Sequence, residues 1–256
     1  MATVISVHSF RGGTGKSNTA ANLAVLFARQ GKRVALIDTD IPSPGVHVLF
    51  GLNPGTVRRT LNDYLWGECP IRDAAQEITG LFEGAPSAGR LHLVSSSVNA
   101  ADIARMLRDG YDINLLGEGY RQLAVDLNLD ILLVDTHPGI NEETLLSIAL
   151  SNFLLVVMRP DHQDYQGTAL TVDVARELEV PHMAILVNKA PLSLDPERIR
   201  QTVETTYKCP VAAVIPHSDD LMTLASQGVF VAKYPQHPIT RQLEKVAALL
   251  LESEEA

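Results

Sequence analysis

The chain has 256 residues, of which 46% are hydrophobic and 20% are charged, an ordinary composition for a globular protein. Its formal net charge of −9 at pH 7 disfavours a protein that coats nucleic acids, because that function needs an excess of basic residues. The two cysteines, Cys69 and Cys209, lie far apart and outside any C-x-x-C motif, so neither a disulfide nor a metal site is expected and a reducing cytoplasm is predicted.

Short apolar, β-branched segments alternate with helical patterns along almost the whole chain. The predicted strands are 3–8, 33–38, 91–95, 130–135, 153–158, 182–187 and 211–215. The predicted helices are 16–30, 58–66, 99–109, 113–127, 142–149, 165–178, 196–206, 218–226 and 237–251. The alternation predicts an α/β fold with a doubly wound, mostly parallel sheet of seven to eight strands and helices on both faces. We expect one domain over 1–256, in which 51–90 forms an irregular insert.

The segment GGTGKS at 12–17 follows the first strand directly and precedes a helix. Glycines let a backbone wrap around phosphate oxygens, and the N–H groups at the start of the helix point at the anion. In such a loop Lys16 reaches the β- and γ-phosphates, and the Ser17 hydroxyl binds Mg²⁺. The alternatives are a glycine-rich turn without a ligand and a dinucleotide fingerprint that begins at Gly13. That fingerprint requires glycine where Asn18 stands and has no use for the Lys-Ser pair, so the phosphate loop is favoured.

The usual spacing G-x-x-x-x-G-K-[ST] would need glycine at Phe10. RGGTGKSNTAANLA instead resembles the deviant phosphate loop, K-G-G-x-G-K-[ST], of the MinD/ParA family of ATPases, and later motifs extend the resemblance over roughly residues 2–250. The resemblance implies a P-loop NTPase fold with ATP and Mg²⁺ as ligands. It also implies that the phosphates are bound by Arg11, Gly12, Gly13, Thr14, Gly15, Lys16, Ser17 and Asn18.

Two loop residues depart from the family pattern. Arg11 stands where the family has a signature lysine that reaches the nucleotide of the opposite subunit. The resemblance therefore implies that Arg11 contacts phosphate across a dimer and takes part in catalysis, although its guanidinium is bulkier than an ammonium group. A purely cis role and a solvent-facing position are the alternatives. Asn18 replaces the usual threonine and still offers a hydrogen bond to the α-phosphate.

Two carboxylates follow the second strand. Period-two alternation puts Asp38 and Asp40 on one side at its carboxyl edge, where doubly wound sheets bind ligands. In the MinD/ParA family, which the chain resembles, this segment is the first switch. The resemblance implies that Asp40 positions the attacking water and that Asp38 is an outer-shell metal contact. The alternative is that one of them caps the loop through its side chain.

A third carboxylate, Asp135, ends an apolar strand in DILLVDTHPG, an arrangement that holds Mg²⁺ beside the γ-phosphate. The family has D-T-P-P-G here, which implies that Gly139 brings a backbone N–H to the γ-phosphate. His137 takes the place of the first proline. We interpret it as a surface histidine of the loop, with a sensor of phosphate or of a partner as the alternative.

Two further segments, ILVNKAP and AVIPHSDD, resemble the adenine pocket of the family. By this resemblance Asn188 offers a donor and an acceptor to the adenine edge, and Pro216 covers the ring. The sequence after Asn188 lacks the aspartate of guanine sites, which favours ATP over GTP. The alternative for Asn188 is a simple turn former.

The partner surface is less defined. By resemblance Arg159, Asp161 and His162 lie near a dimer face, the alternative being a solvated loop. The C-terminal helix 237–251 has apolar positions at helical spacing for docking on a core, and no basic, apolar tail follows it, which disfavours membrane binding. The sequence also lacks the pattern of a signal peptide or of a membrane span.

Scattered basic pairs such as Arg58-Arg59 do not form a patch by themselves, so non-specific DNA binding stays open. The resemblance implies a slow ATPase that converts ATP and water to ADP and phosphate, forms a face-to-face homodimer with ATP and Mg²⁺, and positions or regulates an unknown cargo or regulatory protein. The expected catalytic residues are Lys16, Asp40 and Arg11. The alternatives are a nucleotide-binding scaffold with little or no hydrolysis and a metallochaperone-like member of the superfamily, which normally needs a cysteine pair.

Overall fold

The computed structural model describes residues 2–53, 55–82 and 88–252. Within them the strands form a single eight-stranded sheet of order β3-β4-β2-β5-β1-β6-β7-β8. The strands are β1 (Thr3–His8), β2 (Arg33–Asp38), β3 (Ala75–Glu77), β4 (Arg90–Val94), β5 (Ile131–Asp135), β6 (Phe153–Met158), β7 (His182–Ala190) and β8 (Val211–Pro216). Neighbouring strands are parallel except that β3 runs antiparallel to β4. The predicted α/β fold with a mostly parallel sheet is confirmed.

The helices connect these strands. They are α1 (Lys16–Arg29), α2 (Val46–Leu49), α3 (Leu61–Leu65), α4 (Ile71–Ala74), α5 (Ala100–Asp109), α6 (Asn114–Asp126), α7 (Glu142–Ala149), α8 (His162–Glu177), α9 (Pro196–Tyr207), α10 (Asp219–Leu224), α11 (Phe230–Lys233) and α12 (Pro238–Glu252), with a 3₁₀ turn at Thr79–Leu81.

Both faces of the sheet are covered, and β2 shows why its sequence is apolar throughout. Val34 and Leu36 belong to a buried cluster that includes residues of α1 and α12. Ala35 and Ile37 point to the opposite face and join residues of α3, α4 and α6. Because successive side chains of a strand alternate between faces, a sheet with helices on both sides needs apolar residues at every position.

The elements missing from the prediction are short. All seven predicted strands correspond to observed ones, whereas β3, α2, α4 and α11 have only three or four residues, too few for a recognisable period. The helix predicted over 58–66 spans only Leu61–Leu65, because Thr60 and Asp63 form a capping box that starts it.

The predicted insert, 51–90, contains α3, α4 and the antiparallel edge strand β3. Its residues 54 and 83–87 lie outside the described part of the chain. The extent of this insert and the single domain over 1–256 remain predictions.

The strand order positions the site. From β1 the chain passes to β2 on one side of the sheet, whereas β6 and β7 extend the sheet on the other side. The loops after β1, β2 and β5 therefore meet at the carboxyl edge where the strand order reverses, the usual ligand site of doubly wound sheets.

Candidate functional site

The loop between β1 and α1 has the backbone of a phosphate cradle. Gly13 and Gly15 have φ values of +78° and +101°, a region that residues with a Cβ rarely adopt. A Cβ on Gly15 would also overlap the amide of Asn188. The loop leads straight into α1, whose first turn contains no acidic residue. The N–H groups at this helix start therefore favour an anion.

Lys16 and Asp135 meet at the centre of this edge. Lys16 Nζ lies 2.8 Å from Asp135 Oδ1, and the two side chains are 6% and 0% exposed. Burial raises the pKa of Asp135, while the charge of Lys16 and the nearby Ser17 hydroxyl act in the opposite direction. Asp135 Oδ2 is buried without a hydrogen-bond partner. Ser17 and Asp135 thus offer two oxygen donors, the donor type that Mg²⁺ uses when a substrate phosphate completes its coordination.

Asp38 holds the loop that follows β2. Its Oδ1 accepts a hydrogen bond from Asp40 N at 3.1 Å, and its Oδ2 accepts from Gly45 N and Val46 N at 3.0 and 3.1 Å. Burial, and then the charge of Asp135, raises the pKa of Asp38 to about 7. Both oxygens are therefore engaged by the backbone, the geometry of the loop-capping alternative. The outer-shell metal contact of Asp38 stays a prediction.

Asp40 contacts His137, which joins the loops after β2 and β5. His137 Nδ1 lies 2.7 Å from Asp40 Oδ1 and donates to it, since a carboxylate only accepts. Asp40 is 8% exposed, so this contact is largely shielded from solvent. Beyond His137, Gly139 adopts φ +85° and its N–H donates to Ser9 O at 3.1 Å. The loop after β5 is thus tied to the start of the phosphate loop.

His8, at the end of β1, is a site residue that the sequence analysis missed. It is fully buried, and its Nδ1 lies 2.7 Å from Thr136 Oγ1, which itself donates to Val7 O. Burial, then the charges of Lys16 and His137, lowers the pKa of His8 to about 3. The available signal was a histidine at the inner end of an apolar strand, directly before the loop.

Arg11 is bound within its own chain. Its Nη1 lies 3.4 Å from Asp161 Oδ1 and 3.3 Å from Asp164 Oδ1. Arg159 also contacts both carboxylates. Asp161 is the N-cap of α8, where it accepts hydrogen bonds from the backbone, and His162 is the exposed first residue of that helix. Arg11, Arg159 and Asp161, all predicted from the sequence, thus form one charged cluster with Asp164. Asp164 was not among the predicted residues.

Phe10 fixes the start of the same loop on α8. A Cβ added to Gly167 would overlap the Phe10 ring, so the two residues are in close contact. Phe10 therefore anchors the loop on α8 at the position where the standard motif has glycine.

Asn188 and Lys189 brace the loop from β7. Asn188 Nδ2 donates to Thr14 O at 2.8 Å, and its Oδ1 accepts from Lys189 N at 2.9 Å. Lys189 Nζ donates to Gly13 O at 2.7 Å. Pro216, the last residue of β8, pairs with Ala190 at the end of β7, so both predicted adenine contacts lie at one edge. Their roles toward adenine remain predictions.

The rest of the described chain provides little competing chemistry. Cys69 and Cys209 are free, and among the described residues no three His, Cys, Asp or Glu side chains cluster as a metal site. No helix in that part of the chain has the length and hydropathy needed to cross a membrane.

The chain matches a known family of nucleotide-binding domains. Residues 5–231 match the family described as the CobQ/CobB/MinD/ParA nucleotide binding domain. An uncharacterized ATP-binding protein of Methanocaldococcus jannaschii is 29% identical over 252 residues, which cover 98% of this chain and 88% of that protein. The antiactivator FleN of Pseudomonas aeruginosa is 32% identical over 192 residues, 73% of this chain and 61% of FleN.

A solved structure has a similar fold. The septum site-determining protein MinD of Pyrococcus horikoshii, complexed with Mg-ADP, aligns with a TM-score of 0.80 at 20% identity. The alignment covers 100% of this chain and 99% of that chain.

Proposed function

Because the chain belongs to the CobQ/CobB/MinD/ParA nucleotide-binding family, we propose that it is an ATPase that hydrolyses ATP with Mg²⁺ to ADP and phosphate. The observation that carries the proposal is the meeting of Lys16, Asp135 and Asp40 at one edge of the sheet, beside the glycine loop. An ATP-binding relative and a structural neighbour that holds Mg-ADP support the choice of ligands.

Each group has a distinct task in this proposal. The loop amides and Lys16 would bind the phosphates, and Ser17 and Asp135 would hold Mg²⁺, which would supply positive charge beside the phosphates. Asp40 accepts a hydrogen bond from the attacking water and so orients it. Asn188 and Pro216 bind the adenine edge and ring. The chemistry depends on positioning and electrostatics, as is general for phosphoryl transfer, and no covalent intermediate is required.

We further propose that ATP assembles a face-to-face homodimer in which Arg11 reaches the nucleotide of the opposite subunit. The support is its location: the guanidinium stands at the rim of the site, 35% exposed, and its ion pairs within the described chain are long, at 3.4 Å to Asp161 and 3.3 Å to Asp164. A planar guanidinium suits two phosphate oxygens. When Arg11 leaves the carboxylates, Arg159 still contacts both of them.

The proposed output is a slow switch in the cytoplasm that binds a regulatory or cargo protein only in its ATP-bound dimeric form. FleN, one of the relatives, is an antiactivator, which supports regulation of another protein. The second candidate is a nucleotide-binding scaffold without hydrolysis, favoured by the cis ion pairs of Arg11. A metallochaperone role is the remaining alternative, and iron-sulfur cluster carrier proteins are among the relatives, at 28% identity. It is disfavoured because Cys69 precedes α4 and Cys209 precedes β8, so they do not form a pair within the chain.

Phosphate release from Mg-ATP by the wild type and Asp40→Ala tests the proposal, together with the molar mass of each protein by light scattering. The wild type should release phosphate, whereas Asp40→Ala should release it only at a small residual rate and should stay dimeric with ATP. Asp173→Ala is a matched control, since Asp173 is 74% exposed and contacts only Arg176 of the same helix among the described ion pairs, at 3.7 Å. A wild type that binds ATP without releasing phosphate would support the scaffold. An Asp40→Ala protein that stays monomeric at saturating ATP would contradict the switch.

A further inference from the structure

The contact between His137 and Asp40 joins two loops that are fixed independently. The carbonyl of His137 accepts from Thr144 Oγ1 at 3.1 Å, which ties that loop to α7. Asp40 N donates to Asp38, and Asp40 O accepts from Ser43 N at 3.1 Å. Since both backbones are held, the 2.7 Å hydrogen bond between the two side chains decides how the Asp40 carboxylate is oriented.

The bond leaves Asp40 with one committed oxygen. Oδ1 accepts from His137, whereas Oδ2 accepts no side-chain hydrogen bond from the described residues and is not completely buried. A free aspartate side chain samples several rotamers, and orienting one in the transition state costs conformational entropy. A side chain held by one oxygen presents the other in a defined direction, which removes that cost from the barrier.

The contact has little to do with the stability of the core. The His137 side chain is 28% exposed and belongs to none of the three buried apolar clusters of the described chain. A hydrogen bond to a carboxylate contributes about 1.5–3 kcal/mol to folding, so the stability of each variant is measured beside its activity. The bond lies instead on the one carboxylate to which we assign the attacking water.

The geometry points to His137 as a positioning residue for ATP hydrolysis: its Nδ1–H orients Asp40, and Asp40 alone contacts the water. The inference rests on the proposed function. His137→Ala should lower kcat about tenfold and leave KM for ATP within about twofold, since it changes the barrier and not the binding of phosphate. His137→Asn carries an amide N–H at the position of Nδ1, so it should recover most of the lost kcat.

A double-variant cycle tests the route through Asp40. In single-turnover phosphate release, adding His137→Ala to Asp40→Ala should cause no further loss, because the group that His137 orients is already absent. His182→Ala, an exposed histidine at the start of β7, is the control and should leave kcat unchanged. Thermal unfolding of each variant separates an altered site from an altered fold.

Three results would overturn the inference alone. They are a His137→Ala protein with wild-type kcat, a His137→Asn protein that folds but stays as slow as the alanine variant, and additive losses in the double variant. The second would mean that the imidazole itself acts on the water. Equal phosphate release by wild type and Asp40→Ala is a different failure, because it would overturn the proposed role of Asp40 and the inference with it.

Discussion

Lys16 Nζ lies 2.8 Å from Asp135 Oδ1, and this ion pair is almost completely buried. Each residue of the pair also has a proposed ligand: Lys16 binds phosphate and Asp135 binds Mg²⁺. The two ligands carry opposite charges, so each of these side chains would gain a new counter-charge when Mg-ATP binds. The same charges therefore serve the fold and the site, and a substitution of one partner affects both.

Lys16→Met should separate the two effects. It leaves Asp135 buried without its counter-ion, and removing one partner of a buried pair costs about 3–5 kcal/mol, so the urea midpoint should fall. Adding Asp135→Asn neutralises the remaining group and should restore most of the stability. Equilibrium dialysis should find no ATP binding by either protein. A Lys16→Met protein as stable as the wild type would contradict the role of the pair in folding.

Mixed dimers should reveal whether Arg11 acts across an interface. Arg11→Ala and Asp40→Ala should each be inactive alone. If Arg11 acts in trans, a mixed dimer has one site with both changes and one intact site. Equal mixtures should then regain about one quarter of wild-type phosphate release, since half of the dimers are mixed. A mixture without recovery would place the action of Arg11 in cis.

Gly167→Ala should destabilise the protein, although alanine normally favours a helix by about 1 kcal/mol. The added methyl overlaps the Phe10 ring, and overpacking of this kind costs about 1–3 kcal/mol. Phe10→Leu in the same chain should recover part of the loss. Gly80→Ala, where a Cβ meets nothing within 4 Å, is the control. Higher stability of Gly167→Ala in urea unfolding would contradict the observed contact.

His8 should make folding sensitive to acid. Its pKa is lowered to about 3 in the fold, so below the ordinary value of 6.5 only the unfolded chain gains a proton, and stability falls as the pH drops toward 3. At pH 5 this amounts to about 2 kcal/mol. The contribution of Asp38 to stability has the opposite pH dependence: its pKa is raised to about 7, so this contribution grows as the pH falls below 7. The measurement is therefore the difference between wild type and His8→Asn in urea unfolding at pH 7 and pH 5. A constant difference would contradict the buried neutral imidazole.

The sequence predicted the strands well because each is an apolar run bounded by turn residues, a signal contained within a few positions. Its failures were β3 and the shortest helices, whose residues are ordered by their neighbours rather than by their own period. The start of α8 at His162 was also missed, since it depends on capping by Asp161 just outside the apolar pattern.

The sequence by itself determined the glycine loop and the carboxylates at the strand ends, because parallel strands bring their carboxyl ends to one edge whatever the details of packing. Only the tertiary structure decided which side chains pair there. His137 meets Asp40 across 97 positions, and Arg11 meets Asp161 and Asp164 across 150 and 153. Such contacts depend on how two loops approach in space, and no local period or propensity encodes that distance.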